Sequence, residues 1–185
     1  HKVVTACRVP GSIDVLRSYL AEELFQAIRN QTGSSYGVYA YVVNHPGGAR
    51  ALQIGGAVGI EQTALSLKAI YELLEQIAKG LVPPEKLNQA RYVVARRSLS
   101  SNLGVGEMMR TLRQAVLHEQ SIKSLEQRPQ RIAAVKATDL AKLLAPCRGH
   151  VVTALVSKEK QVRPSLAQFG IPVKIIDVPK PGKDK

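Results

Sequence analysis

This sequence predicts an α+β fold: a single antiparallel or mixed sheet with helices packed on one face. Three observations lead there. Strand-like runs near both ends of the chain bracket a middle whose apolar residues are spaced three and four apart. Two further strand-like runs, 36–43 and 51–58, are separated by a short turn and read as a hairpin. The order is then strand, helix, hairpin, long helices, strand, and no internal repeat is visible.

Each element has a local reason. Lys2 to Arg8 reads as a strand that Pro10-Gly11 ends. Ser12 can cap a helix whose first turn holds Asp14, where the helix dipole favours a negative charge. Ile13, Leu16, Leu20, Leu24, Ala27 and Ile28 form its apolar stripe. It is expected to stop near Asn30, with Gly33 as the left-handed terminator. Tyr36 to Val43 is the second strand, with Tyr39 and Tyr41 on the same side of the pleat. Asn44-His45-Pro46-Gly47-Gly48 makes a turn, and Ala51 to Val58 is the third strand.

A helix from about Glu61 to Lys79 brings Leu67, Ile70, Leu74 and Ile77 into register, and Gly80 closes it. Pro83-Pro84-Glu85 opens the next, because proline is tolerated in a first turn and glutamate suits the positive end. That helix runs to about Ser101. Gly104 and Gly106 interrupt, and Met109, Leu112 and Val116 mark a fourth helix. Lys123 to Ala134 and Asp139 to Ala145 read as short helices, with Thr138 as a cap. His150 to Ser157 is a strong strand and Phe169 to Asp177 a short final one. One domain over 1–178 is expected, followed by a basic, disordered tail over 179–185.

The composition agrees. A chain of 185 residues suits one domain. At that length roughly 70% of the unfolded surface is buried, so neither metal nor disulfide scaffold is needed to fold. Six Tyr, two Phe and no Trp leave the core to Leu, Ile, Val and Ala. No run of apolar residues is long enough for a membrane-spanning helix. The chain starts at His1 with no signal-like segment and reads as a cut or mature fragment.

The formal charge is +12, from 26 Lys plus Arg against 14 Asp plus Glu. Residues 86–113 hold Lys86, Arg91, Arg96, Arg97, Arg110 and Arg113 against Glu107 alone, and the tail after Ser157 is basic too. Neither run has the aromatic interleaving that stacks nucleic-acid bases. Solvated helix faces, or a basic chamber or partner surface, are the preferred reading over nucleic acid. The two cysteines, Cys7 and Cys147, belong to no C-x-x-C pair, which excludes thioredoxin-like chemistry and zinc-finger spacing. Two buried thiols and one long-range disulfide both stay open, as do the bacterial periplasm and the cytoplasm. A disulfide would favour an extracytoplasmic location.

No catalytic motif is present. His1, His45, His118 and His150 include no pair four apart, so neither H-E-x-x-H nor H-x-x-E-H exists. Ser34, Ser35 and Ser100 sit in no nucleophile elbow, and Gly55-Gly56 and Gly59 lack the Lys-Ser/Thr of a phosphate loop. No metal site and no catalytic residue are assigned to this chain alone.

The informative segment runs from Leu24-Phe25 through Arg29 and Gly33 to Tyr36-Gly37-Val38. It closely resembles the hallmark of the C-terminal-type, non-zinc-binding domain of the insulinase/pitrilysin zinc metallopeptidases. There a helix carrying Leu-Phe ends in an Arg, and a Gly turn leads to a Tyr that opens a strand. Arg29 and Tyr36 keep the family's separation of seven. Pro84 to Arg91 and Ile132 to Ala145 resemble later segments of the same domain, so the resemblance extends over about 2–177. Ser34-Ser35 stand where the family has Leu-Ala.

The resemblance implies a metallopeptidase-half fold. It also implies two homologous halves facing each other across a chamber, the other half carrying H-x-x-E-H and the zinc. That half would be an upstream domain or a separate subunit. Tyr36 would then donate a hydrogen bond to the peptide carbonyl or its oxyanion, and Arg29 would hold the substrate backbone. Without the resemblance, both residues read as structural: Arg29 as a last-turn cation and Tyr36 as a strand-opening tyrosine. The alternative within the family is a structural or assembly subunit without proteolytic work. A polyanion-binding module is a third reading, and homo-oligomerisation stays open.

Overall fold

Alternation of β-branched and aromatic residues with small ones builds the sheet. In the computed structural model four strands pair antiparallel: β1 (Lys2–Arg8), β2 (Tyr36–Asn44), β3 (Arg50–Ala57) and β4 (Val152–Val156). Their order is β2-β3-β1-β4. The structure describes residues 2–8, 13–32, 36–44, 50–100, 104–117, 121–147 and 151–168, with 174 and 176. The side chains of 2–8, 30–32, 36, 37, 44, 50, 114, 122, 124 and 165 lie outside that description. The expected hairpin is present: Tyr41 lies opposite Gln53 and Val43 opposite Ala51.

The helices are α1 (Asp14–Thr32), α2 (Thr63–Ala78), α3 (Pro84–Ser100), α4 (Val105–Leu117), α5 (Ile122–Glu126), α6 (Arg128–Ala134), α7 (Ala137–Leu144) and α8 (Glu159–Gln168). A short 3-10 turn, Ala145–Cys147, follows α7. The fold is therefore α+β, as the element order implied. The stripe of α1 is buried as its spacing requires: Leu16, Leu20 and Leu24 are fully enclosed and Ile28 nearly so. Each such leucine contributes about 1.5–3 kcal/mol of transfer free energy. They pack with Ala40, Leu52 and Ile54 of the hairpin and with Ile70 and Ile77 of α2.

Residues alternate between the two faces of the sheet. Ala40, Leu52 and Ile54 are buried, while Tyr39, Ala57, Val152 and Val156 are exposed on the other side. Thr153 points to the helix side, where its hydroxyl meets the Tyr71 hydroxyl of α2 at 2.7 Å. One face is thus covered by helices and the other lies open.

Polar ties fix the helix layer. Arg128 of α6 meets Asp14 of α1 at 3.0 Å. Lys86 of α3 pairs with Glu23 of α1. The Arg91 Nε–H donates to the Val135 carbonyl at 2.8 Å. Two members of the basic run 86–113 therefore serve the fold.

Four expectations are corrected. Thr138 is not a cap: α7 starts at Ala137, and the Asp139 carboxylate accepts the Lys136 N–H at 2.8 Å. A third-position acid reaching back closes that terminus. The run 123–134 is two helices broken at Gln127, not one. The strand expected from His150 begins at Val152, with residue 150 outside the description. Helix α8 was not foreseen, because Pro164 stands inside it and argues against a helix. Its Val162 and Leu166, four apart, are buried against Val58, Ala64 and Leu67. The turn at 45–48, the strand expected over 169–177 and the tail 179–185 lie outside the described residues. Gly80 ends α2 at φ +74°, the left-handed conformation that suits glycine.

Candidate functional site

The junction between α1 and β2 carries both residues that the family hallmark singles out. Because Leu20, Leu24 and Ile28 face the core, Phe25 and Arg29 lie on a line turned away from it. Arg29 is exposed in the last turn, where the helix dipole favours a cation. Its guanidinium carbon lies 5.7 Å from the centroid of the Phe25 ring, a cation–π contact one turn back.

Tyr36 opens β2 opposite Ala57. The pairing then slips: Tyr39 is opposite Gly55, so three steps along β2 span two along β3. That is a β-bulge, a device that re-aims side chains. Positions 36 and 39 are an odd number apart and in a regular strand would fall on opposite faces. The bulge instead sets position 36 against Ala57, in the exposed row of β3. The two predicted residues thus flank one helix-to-strand junction; the Tyr36 phenol itself lies outside the described side chains.

The open face adds residues that the sequence reading did not assign. Tyr39 and Tyr41 stand side by side on it, with ring centroids 5.4 Å apart and planes at 41°. The period-two spacing announced that they share a face, and nothing local announced which. Across the sheet, Val152 and Val156 are exposed on the same face. Among the described side chains this face carries Tyr39, Tyr41, Val152 and Val156, with Gln53 opposite Tyr41.

The helix side holds a separate cavity of about 280 Å³ between α1, α3 and β2, lined by Arg17, Tyr19, Phe25, Val38, Lys86 and Arg97 among others. Burial pushes the Tyr19 phenol up to about 12, with Glu23 and Glu85 adding to the effect. A phenol held neutral so firmly suits packing, not proton transfer at neutral pH. Among the described residues no three His, Cys, Asp or Glu come together to hold a metal. All four histidines lie outside the described residues. Cys147 is disulfide-bonded. Cys7, the one other cysteine, lies on β1, which packs against the turn that carries Cys147.

The fold is an α+β layer whose helix-to-strand junction is flanked by Arg29 and Tyr36. Residues 11–93 match the family model of the peptidase M16 inactive domain. Over that stretch, somewhat under half of the chain, the sequence is similar to that domain, in keeping with the insulinase/pitrilysin resemblance. Solved structures share the fold. The inactive peptidase domain of a Bordetella parapertussis protein described as a zinc protease has a TM-score of 0.68 at 16% identity, covering 85% of this chain and 90% of that one. The periplasmic protease PqqL from Escherichia coli gives 0.60 at 14% identity, covering 84% of this chain and 19% of that one. Pitrilysin gives 0.50 at 16% identity, covering 82% and 18%. The chain thus spans less than a fifth of the last two. No curated protein matches by sequence. No described helix is long and apolar enough to cross a membrane.

Proposed function

We propose that this chain is the non-catalytic, substrate-binding half of a zinc-dependent metalloendopeptidase, supplying Arg29 and Tyr36 to a zinc site on another domain or chain. The β-bulge between Tyr36 and Tyr39 carries the reading. It adds a backbone irregularity at the residue the family hallmark selects, where position 36 pairs with Ala57 of β3. The uncovered sheet face is where a second lobe would close over a peptide. The other half would hold the zinc, which would supply an activated water for attack on the scissile carbonyl. Tyr36 donates to the oxyanion as it forms, and Arg29 orients the substrate backbone.

A second reading, a peptidase-like assembly subunit, is favoured by one observation. Arg29 already has a cation–π neighbour in Phe25 without substrate. Kinetics of the assembled enzyme separate the two. Tyr36→Phe is expected to lower kcat/KM by about 10²–10³-fold, the usual effect of deleting one oxyanion donor. Arg29→Ala is expected to raise KM. Unchanged kinetics in both variants would leave the assembly reading.

The disulfide at Cys147 supports an extracytoplasmic location, since such bonds persist in oxidising compartments. PqqL, which shares the fold, is a periplasmic protease.

A further inference from the structure

We propose that the cavity between α1, α3 and β2 is a binding site for a small carboxylate carried on an apolar or aromatic body. It lies on the helix side of the sheet and does not depend on the peptidase reading. Its volume, about 280 Å³, is at the small end for ligand sites. Three elements give it walls. Arg17, Ala21 and Phe25 follow at intervals of four on one line of α1, Val93 and Arg97 do the same on α3, and Val38 comes from β2.

Tyr19 carries the argument. It lines this cavity and is 3% exposed, and its hydroxyl has no hydrogen-bond partner among the described residues. A buried hydroxyl ordinarily has one, and the room for it here is the cavity that the ring borders. Burial and the neighbouring Glu23 and Glu85 keep the phenol protonated through neutral pH, so it offers its proton to an acceptor.

The other groups with unused capacity are donors too. The half-buried Arg17 makes no side-chain hydrogen bond or ion pair among the described residues, and neither does the exposed Arg97. The acids of the lining are engaged: Glu23 pairs with Lys86, and Glu22 accepts the Gln26 amide at 3.1 Å. Two guanidiniums and a phenol O–H are left, beside Phe25, Val38 and Val93.

That set selects the ligand. A cation would meet two unpaired guanidiniums. A neutral apolar molecule would leave Tyr19 and Arg17 without partners. A carboxylate takes a guanidinium fork through two parallel hydrogen bonds and accepts a third from the phenol. Its apolar body then lies against Phe25, Val38 and Val93. A phosphate dianion would sit beside Glu22 and Glu23 and leave the apolar walls uncovered. A free acid and the C-terminal residue of a peptide share the selected chemistry.

NMR titration of the 185-residue chain with 3-phenylpropanoate tests this, with 3-phenylpropanamide as its uncharged twin. Amide shifts are expected on α1 between 17 and 25 and on α3 between 89 and 97. The acid should bind at least about tenfold more tightly than the amide. Arg17→Gln, at a half-exposed position, should weaken the acid about tenfold, and Tyr19→Phe, which keeps the ring, about three- to tenfold. The tripeptide Gly-Gly-Phe separates the two sources. Binding that needs its free C-terminus assigns the site to a chain end, and binding of 3-phenylpropanoate alone assigns it to a free acid; both support the proposal. No binding of either, equal binding of acid and amide, shifts confined to other elements, or insensitivity to both substitutions overturns it. So does inorganic phosphate binding more tightly than the acid, which would make this a phosphoryl site.

Discussion

Helices α1 and α4 carry the same kind of pattern and put it to opposite use. In α1 the stripe of Leu16, Leu20 and Leu24 is sealed between the sheet and α2. In α4 the stripe of Val105, Met109, Leu112 and Val116 faces out. Periodicity says that a helix face must be covered; the topology decides whether the cover comes from the same chain. The sheet repeats the contrast. Leu52 and Ile54 look into the helix layer, while Tyr39 and Val156 look away from it.

Paired truncations sharpen that comparison most. Leu20→Ala in α1 is expected to cost about 2–5 kcal/mol in urea unfolding, as for other enclosed leucines. Leu112→Ala in α4 is expected to change the isolated chain by under about 0.5 kcal/mol. Equal losses would mean that α4 packs inward and the contrast fails.

The disulfide comes next. A thiol assay of the denatured, non-reduced chain should find no free cysteine. Cys147→Ser should destabilise the chain by about 2–4 kcal/mol. Free thiols would remove the argument for an oxidising compartment.

The smallest effect is a pH dependence on the helix side. The Tyr19 phenol is raised from 10.0 to about 12 by burial and by Glu23 and Glu85. Its contribution is complete below pH about 10 and is lost as the pH rises through about 12, because the unfolded chain ionises first. Stability in that window should fall by about 1.4 kcal/mol per pH unit more steeply in the natural chain than in Tyr19→Phe. Parallel curves would place Tyr19 in a wetter setting.

Much of this was legible in the sequence. Strand β1, helix α1 and the β2–β3 hairpin follow from period and turn chemistry within a few residues. Helix α8 was not, because Pro164 speaks against it while Val162 and Leu166 find their cover in Val58 and in α2. The start of α7 turned on whether the cap fell at Lys136 or Thr138, and the Asp139 carboxylate reaching back to the Lys136 N–H closes it at Lys136. Arg29 and Tyr36 were legible only through the family hallmark, since a last-turn arginine and a strand-opening tyrosine are ordinary locally. The bulge at position 36 is a matter of pairing with β3, about which the local sequence is silent. The outward sense of the α4 stripe was equally hidden, because amphipathicity has no direction until the rest of the fold supplies one.

A transition-state role for Tyr36 can be checked with a phosphinic peptide, which presents a tetrahedral oxyanion to the assembled enzyme. Tyr36→Phe should weaken its inhibition constant by about the same 10²-fold or more by which kcat/KM falls, with KM for the parent peptide nearly constant. An inhibition constant unchanged by the substitution, or a loss confined to KM, would contradict it.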